Sequence, residues 1–557
     1  MRDVKKKYIM KHWKIIEKDI SPSTIQQTIS VLLKNRNLTE EKDIKEFLET
    51  NTKKITLKSC GINKKEFSKF QERILKAING NEKIIIFGDY DVDGICATAI
   101  LWETLYVKSK NIVPYIPDRI DEGYGLSKKG IDNVLEKNPD TKVIITVDNG
   151  IVAYEAVDYA ANKGIDVVVT DHHVKGKKEP AAFCVLHTTE LCGAGIAWVI
   201  VRELGFESKA NIEEKLVLAT LATVADLVPL VSGNRAIVKE GIEILKNTKR
   251  IGIQELLKEA GVDKQMVGVH TIGHIIAPRL NATGRIQSAM NALRLLCTKN
   301  LQKARELSLM LGNVNRDRQG LTEESVGHAK LLAMESASNT KITIVSHESY
   351  NQGVIGLIAS KLVESYYKPA IAIAIGETVS KGSARSIPGV NIIELIRSVS
   401  HTIIEAGGHP MAAGFSVETN RIEEFSKSLT LLAESVVTEE LLKRYLKVDM
   451  NLPFSLITTD LIDEISMLSP YGMGNPEPVF ATDNVTVLEI RKIGREQNHL
   501  KLKVEKDRKV FDAVGFGMAD TADIGEGDTV SIAYQISENE WSGKKSIQLK
   551  LKDIKQS

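Results

Sequence analysis

Ile84-Ile85-Ile86-Phe87-Gly88-Asp89-Tyr90-Asp91-Val92-Asp93-Gly94 is the stretch whose reading decides the fold. Four large apolar residues in a row, closed by a glycine, read as a short strand buried on both faces, which is the habit of a parallel sheet covered by helices. Two later runs have the same form: Val143-Ile144-Ile145-Thr146-Val147-Asp148 and Val167-Val168-Val169-Thr170-Asp171. All three end in aspartate. Strand-like runs at Lys83 to Phe87, Ile112 to Ile116, Lys142 to Val147 and Ile165 to Val169 alternate with helical segments, so the block is expected to be a doubly wound α/β sheet. In such a sheet the ligand crevice lies beyond the carboxyl ends of the strands, where the three aspartate tips converge.

The residues at those tips carry the chemistry. The first tip presents Asp89, Asp91 and Asp93 at alternate positions, and the third continues as Asp171-His172-His173. A further acid, Asp226 in Val224-Ala225-Asp226-Leu227-Val228-Pro229-Leu230, follows the otherwise apolar helical run Glu213 to Thr223. One aspartate after a strand is as often a helix cap or turn former as a functional group. Three acids in a short turn, two adjacent histidines and two more acids aimed at one crevice exceed what capping explains. Converging carboxylates repel and stay ionised together only around cations. Oxygen ligands with one or two imidazoles favour Mn²⁺ or Mg²⁺ over thiolate-type zinc, and the number of acids points to two ions.

Outward from this block, 557 residues exceed what one core supports, so several domains are expected. Residues 1–80 read as a Lys-rich helical lead-in, 81–240 as the acidic α/β block, and 241–335 as a helical subdomain and connector. Residues 336–446 form a second α/β block, and 447–557, with about five short strands, a small barrel of OB type. Five cysteines without a C-x-x-C pair suggest neither a disulfide framework nor structural zinc, and a reducing cytoplasm is expected. There is no apolar run long enough to cross a bilayer, so no membrane association is expected. Lys plus Arg, 74, against Asp plus Glu, 72, leaves a net charge of +2, which excludes a globally basic nucleic-acid binder and makes any polyanion site local.

Asp89-Tyr90-Asp91-Val92-Asp93-Gly94, Thr146-Val147-Asp148-Asn149-Gly150, Thr170-Asp171-His172-His173 and Val224-Ala225-Asp226-Leu227-Val228-Pro229-Leu230 resemble, in order and spacing, the four motifs of the DHH phosphoesterase superfamily. Further segments resemble the bacterial single-stranded-DNA exonucleases within it: Ala277 to Arg285, Gly353-Val354-Ile355-Gly356, Gly382-Ser383-Ala384-Arg385-Ser386, Gly407 to Gly414 and Tyr471-Gly472-Met473-Gly474-Asn475-Pro476. The likeness runs from about residue 40 to the end. It implies DHH and DHHA1 domains facing across a cleft, a helical connector between them, and a C-terminal OB-type β-barrel.

The resemblance also implies roles. Asp89, Asp91, Asp93, Asp148, His172 and Asp226 would hold two divalent cations, Mn²⁺ in preference to Mg²⁺, with Asp89 and His173 as catalytic groups. Arg385, Ser386, Gly408 and His409 would bind substrate phosphate, and Arg279, Asn281 and Arg285 would line the path of the strand. For Gly408 a plain tight turn, for Arg385 a surface ion pair and for Arg279 an interdomain salt bridge are the competing readings. Lys492, Arg495, Lys501, Lys503 and Arg508 are interleaved with Phe511, Phe516, Tyr534 and Trp541, a mixture suited to single strands but also to an ordinary barrel core. Trp198 and Tyr350 are expected in cores. Phe87 stands where some superfamily members carry a metal-binding histidine, and Asn149 where cysteine is frequent.

The implied activity is 5′–3′ exonuclease hydrolysis of single-stranded DNA in repair and recombination by a monomer, with a single-strand-binding protein and a RecQ-type helicase as partners. A DHH phosphoesterase of dinucleotides or other small phosphoesters competes with that reading, and so does a replication scaffold on a decayed core. The extra barrel argues against the first, the full set of acids and histidines against the second.

Overall fold

The computed structural model describes residues 11–556 apart from 120, 337–339, 520–523 and 542–543. It separates into two compact units, one built from residues 41–318 with 469–476, the other from 1–40, 319–468 and 477–557.

The described residues open on a strand, β1 (His12–Glu17), where the sequence suggested only helices. Its alternating half-buried side chains make too short a pattern to register alone, and its partner lies more than four hundred residues away: β12 (Tyr445–Asn451), paired in parallel from His12 against Tyr445. The Trp13 indole N–H donates to Asp553 at 2.6 Å and locks the strand in place. The lead-in is therefore divided, since residues up to 40 belong with the C-terminal half and those from 41 with the acidic block.

In the acidic block, β2 (Lys83–Phe87), β3 (Ile112–Tyr115), β4 (Thr141–Val147), β5 (Asp166–Asp171) and β6 (Cys184–His187) form an all-parallel sheet in the order β3-β2-β4-β5-β6. The unbroken apolar runs follow from burial on both faces. Ile84, Ile86, Val143, Ile145 and Val168 pack toward one layer, Ile85, Phe87, Ile144, Val167 and Val169 toward the other. The first layer includes the helices Val92–Tyr106, Gly193–Leu204 and Lys209–Ala225, and its core continues without a break through Ile253, Leu280 and Leu295 to Leu311. The boundary expected near residue 240 is thus absent: the helices beyond it complete the same core. Trp198, 3% exposed, lies inside it.

In the other unit, β7 (Thr343–His347), β8 (Ala370–Ala374), β9 (Val379–Arg385), β10 (Glu405–His409) and β11 (Ala412–Glu418) form a mixed sheet of order β10-β11-β9-β8-β7, with only β7 and β8 parallel. Tyr350 is buried against it at 4% exposure. The C-terminal strands β13 (Phe480–Ile493), β14 (His499–Lys506), β15 (Lys509–Gly515), β16 (Thr529–Trp541) and β17 (Lys544–Gln556) close on themselves, because β13 pairs with both β14 and β16 while β15 pairs with β17. This five-stranded ring is the expected barrel. Among the described residues no helix is long and apolar enough to cross a membrane.

Candidate metal centre

The turn after β2 aims Asp89 and Asp91 at the end of the sheet and then starts the Val92–Tyr106 helix. Asp91 caps that helix, its Oδ1 accepting from the backbone N–H groups of Asp93 and Gly94 at 2.9 and 3.1 Å. Asp93 is drawn inward: both its oxygens accept at 2.6 Å from Gly193 and Ala194, the first amides of the Gly193–Leu204 helix. Helix N-terminal amides favour a carboxylate at that place. Asp148 follows β4 in a left-handed conformation at φ 63°, a strained position for a non-glycine residue. Asp226 ends the Lys209–Ala225 helix as its C-cap.

These side chains meet. His172 Nε2 lies 3.1 Å from Asp148 Oδ1 and 3.6 Å from both Asp93 Oδ2 and Asp226 Oδ2. Donor atoms gather in three overlapping groups, Asp89–Asp91–Asp148, Asp148–His172–His173 and Asp93–His172–Asp226, each within 4.8 Å. Asp89 Oδ1, Asp148 Oδ1 and His172 Nε2 are buried without any hydrogen-bond partner. Orphaned buried polar atoms are costly, so their convergence fits cations held between them. The electrostatics agree. Burial and the charge of Asp91 push Asp89 well above the usual carboxylate range; burial and Asp93, Asp91 and Asp89 do the same to Asp148; burial with Asp93 and Asp91 lifts Asp226 to about 8. Burial holds His172 below the ordinary imidazole value.

Asp171, the third strand tip, turns away from this cluster and orients His173. Its Oδ1 lies 2.7 Å from His173 Nδ1 and accepts the His172 and His173 amides at 2.7 and 3.1 Å, while Oδ2 accepts from Ile151 N. Burial disfavours its ionised form, but these bonds and the His173 charge outweigh that and hold Asp171 low. The far side of the ring, His173 Nε2, is 3.0 Å from the Tyr124 hydroxyl. Burial and the surrounding carboxylates raise that phenol far above its ordinary value, so it stays protonated. Tyr124 escaped sequence reasoning; its only signal was an aromatic residue between two glycines, Gly123 and Gly125, in an acidic loop.

The residues expected to line the strand's path make contacts with the metal loop and the local scaffold. Asn281 Oδ1 accepts from Val92 N at 3.0 Å, fixing the acidic turn, and a side chain at Gly284 would strike the Tyr90 carbonyl. Arg279 pairs with Glu259 at 2.8 Å, which also binds Arg316, so it is an ion pair inside this unit. Arg285 stands at the end of the same Ala277–Ile286 helix, close enough to Tyr90 for its charge to favour the ionised phenol.

The phosphate-binding candidates belong to the other unit, and two of them, Arg385 and His409, share one sheet row. His409 pairs with Ala412 and Ala412 with Arg385, so both side chains point to one face, about 10 Å apart at ordinary strand spacing. Gly356, near the start of the Ile355–Tyr366 helix, leaves Arg385 room: a Cβ there would lie 3.0 Å from the guanidinium. Gly408, at φ 143°, sits just before the His409-to-Ala412 turn. Ser386 is 5% exposed and donates to the Val390 carbonyl at 2.6 Å, closing a turn inside the fold. In the barrel, Tyr534 is core, bonded to Thr482 at 2.8 Å, and Phe511 packs on Phe454, whereas Phe516 is 65% exposed. The side chain of Trp541 lies outside the described residues.

Three family models match the chain in order: DHH family, N-terminal domain, over residues 83–225; DHHA1 domain over 339–435; and RecJ OB domain over 448–553. The single-stranded-DNA-specific exonuclease RecJ of Bacillus subtilis is 36% identical over 494 residues, covering 86% of this chain and 62% of that protein. Its Escherichia coli namesake is 31% identical, covering 87% of this chain and 89% of the relative. The crystal structure of RecJ in complex with Mn²⁺ from Thermus thermophilus superposes with a TM-score of 0.81 at 25% identity, over all of this chain and 80% of that one. Identity above 30% across nearly the whole length of several relatives, with all three domains in sequence, shows that the chain belongs to the RecJ family of DHH phosphoesterases.

Proposed function

We propose that the chain is a metal-dependent exodeoxyribonuclease that hydrolyses the phosphodiester bonds of single-stranded DNA from the 5′ end, in DNA repair and recombination. The observation that carries this reading is the set of buried, partnerless donor atoms on Asp89, Asp148 and His172 at the carboxyl end of one parallel sheet. The substrate follows the relatives, which are named single-stranded-DNA-specific exonucleases, and the 5′ polarity is part of the proposal.

Asp89, Asp91, Asp93, Asp148, His172 and Asp226 would hold two divalent cations, Mn²⁺ or Mg²⁺, and Asp93 is fixed in place by its bonds to Gly193 and Ala194. Bound there, the cations supply the positive charge that phosphodiester hydrolysis needs at the attacking water and at the leaving oxygen. His173, fixed at Nδ1 by Asp171, presents Nε2 beside the Tyr124 hydroxyl as a hydrogen-bonding group for a phosphate oxygen. Arg385 offers a forked guanidinium and His409 a ring donor to substrate phosphate, from the shared row of their sheet. The barrel binds the strand away from its cut end. A single-strand-binding protein and a RecQ-type helicase supply such a strand to a cytoplasmic monomer.

The test is degradation of a single strand of about 40 nucleotides, a length well beyond the site size of one OB fold, labelled at either end, with Mn²⁺ or EDTA, beside a duplex and a dinucleotide. Metal-dependent early loss of the 5′ label with the duplex intact is expected. Cleavage of the dinucleotide alone would reassign the protein to small substrates, and no cleavage at all to a scaffold.

A further inference from the structure

The Asp226 loop is not self-supporting. Leu227, directly after the acid, takes φ 59° and Ser232, where the next helix begins, φ 44°. Two non-glycine residues in the left-handed region within six positions are each unfavourable and persist only where the surroundings hold them. The loop between them packs on residues 469–476, a segment that lies in the sequence between the helix Thr459–Ser466 and β13 yet belongs to the compact unit of the metal centre. Leu230 N donates to the Met473 carbonyl at 2.7 Å. Gly472 and Asn475 close a tight turn by reciprocal backbone bonds of 2.9 and 3.2 Å, and the Asn475 side-chain amide donates to Pro470 O at 2.9 Å. Arg235, fully buried in the Ser232–Lys246 helix, reaches the same Pro470 carbonyl at 3.4 Å and the Phe47 carbonyl at 3.0 Å.

The fit leaves no room. A Cβ on Gly474, which stands at φ 74°, would come within 2.9 Å of Pro229 Cβ, and one on Gly472 within 2.7 Å of Leu230 Cδ1. Close approach to the loop that follows Asp226 therefore accounts for the glycines of Tyr471-Gly472-Met473-Gly474-Asn475-Pro476.

We propose that Gly472, Met473 and Gly474 are positioning residues for Asp226, so that cation affinity at the Asp226 side of the centre depends on a segment ending four residues before the first barrel strand. The inference rests on the reading of Asp226 as a metal ligand given above.

The experiment titrates Mn²⁺ into the full-length protein by electron paramagnetic resonance of the free ion, with circular dichroism as a check on folding. Gly474→Ala is compared with Gly205→Ala, which imposes the same backbone strain at φ 66° in the same unit but meets nothing within 4 Å. Gly474→Ala is expected to weaken Mn²⁺ binding by about tenfold, with turnover restored by excess Mn²⁺, while Gly205→Ala binds as wild type. Equal affinity in Gly474→Ala and Gly205→Ala would overturn the proposal. Should Gly474→Ala not fold, Gly472→Ala decides, with and without Leu230→Ala: removing the opposing side chain should restore the affinity lost at Gly472, and additive losses would contradict a steric clamp. Asp226→Asn separates the two layers of the argument. If it leaves Mn²⁺ binding unchanged, the ligand reading fails; if it weakens binding and the glycine variants do not, the positioning role fails.

Discussion

Asp148 combines two costs in one side chain: a left-handed backbone at φ 63° and a carboxylate crowded by Asp93, Asp91, Asp89 and Asp226. A carboxyl raised above its unfolded value contributes stability only below that value and costs stability at neutral pH. Asp148→Asn keeps a residue type tolerated at positive φ and removes the charge. It should cut hydrolysis by about a thousandfold or more while sparing most of the single-strand affinity. In EDTA at neutral pH it should melt above wild type, and Mn²⁺ should raise its melting point less than it raises that of the wild type. A variant that melts lower in EDTA would show that the cluster is not strained by its own charge. Tyr124→Phe deletes only the hydroxyl beside His173 Nε2, so Mn²⁺ affinity should hold while kcat falls about tenfold, the worth of one hydrogen bond to a working group. The acids and histidines were legible in the sequence because strand tips with a period-two turn leave few other uses for them. Tyr124 and the bond that Asn281 makes to the metal turn were not, because a hydrogen bond to a ring nitrogen or to Val92 N across 189 positions leaves no local pattern.

At the scale of elements, the Val92–Tyr106 helix carries the metal turn at one end and a buried ion network near the other. Glu103 takes both Arg250 amino groups at 2.9 and 2.7 Å, with Lys215 at 3.7 Å from the same carboxylate and 2.6 Å from Glu207. Burial works against the charge on Glu103, but Arg250 and Lys215 outweigh it and hold the carboxyl below its ordinary value. Its stabilisation is therefore present above the unfolded carboxyl pKa and is lost as pH falls through the lower folded one. Glu103→Gln strands the buried Arg250 guanidinium, while Lys215 keeps Glu207, and should cost about 3–5 kcal/mol in a denaturant titration at neutral pH; a loss below about 1 kcal/mol would mean the pair is solvated. The parallel strands were readable because burial on both faces writes itself as unbroken Ile and Val. The strand β1 was not, since its register is set by β12 and by Asp553 at the other end of the chain. The helices after residue 240 read as a separate subdomain because helical periodicity reports an apolar face and not which core that face joins.

For the molecule as a whole, a net charge of +2 means that strand binding cannot rest on a general positive field. The barrel illustrates the point: Lys503 is paired with Glu489 at 2.8 Å and Lys501 with Asp512 at 3.5 Å, so part of its basic surface is already neutralised within the domain. Stacking then gains weight, and Phe516, 65% exposed with its ring edge-on to His499 at 5.3 Å, is a barrel aromatic turned outward, where Tyr534 is fully buried. A base stacked on such a ring is worth about 1–3 kcal/mol. Phe516→Ala should therefore weaken binding of a 40-nucleotide strand by about tenfold and shorten the run of nucleotides released per encounter. Mn²⁺ affinity, and whatever cleavage the wild type gives of a dinucleotide too short to need the barrel, should stay at wild-type levels. Fluorescence anisotropy with the long strand and single-turnover cleavage of the short one measure the two effects separately. A parallel fall in both would place Phe516 in the folding of the barrel instead of on the path of the DNA.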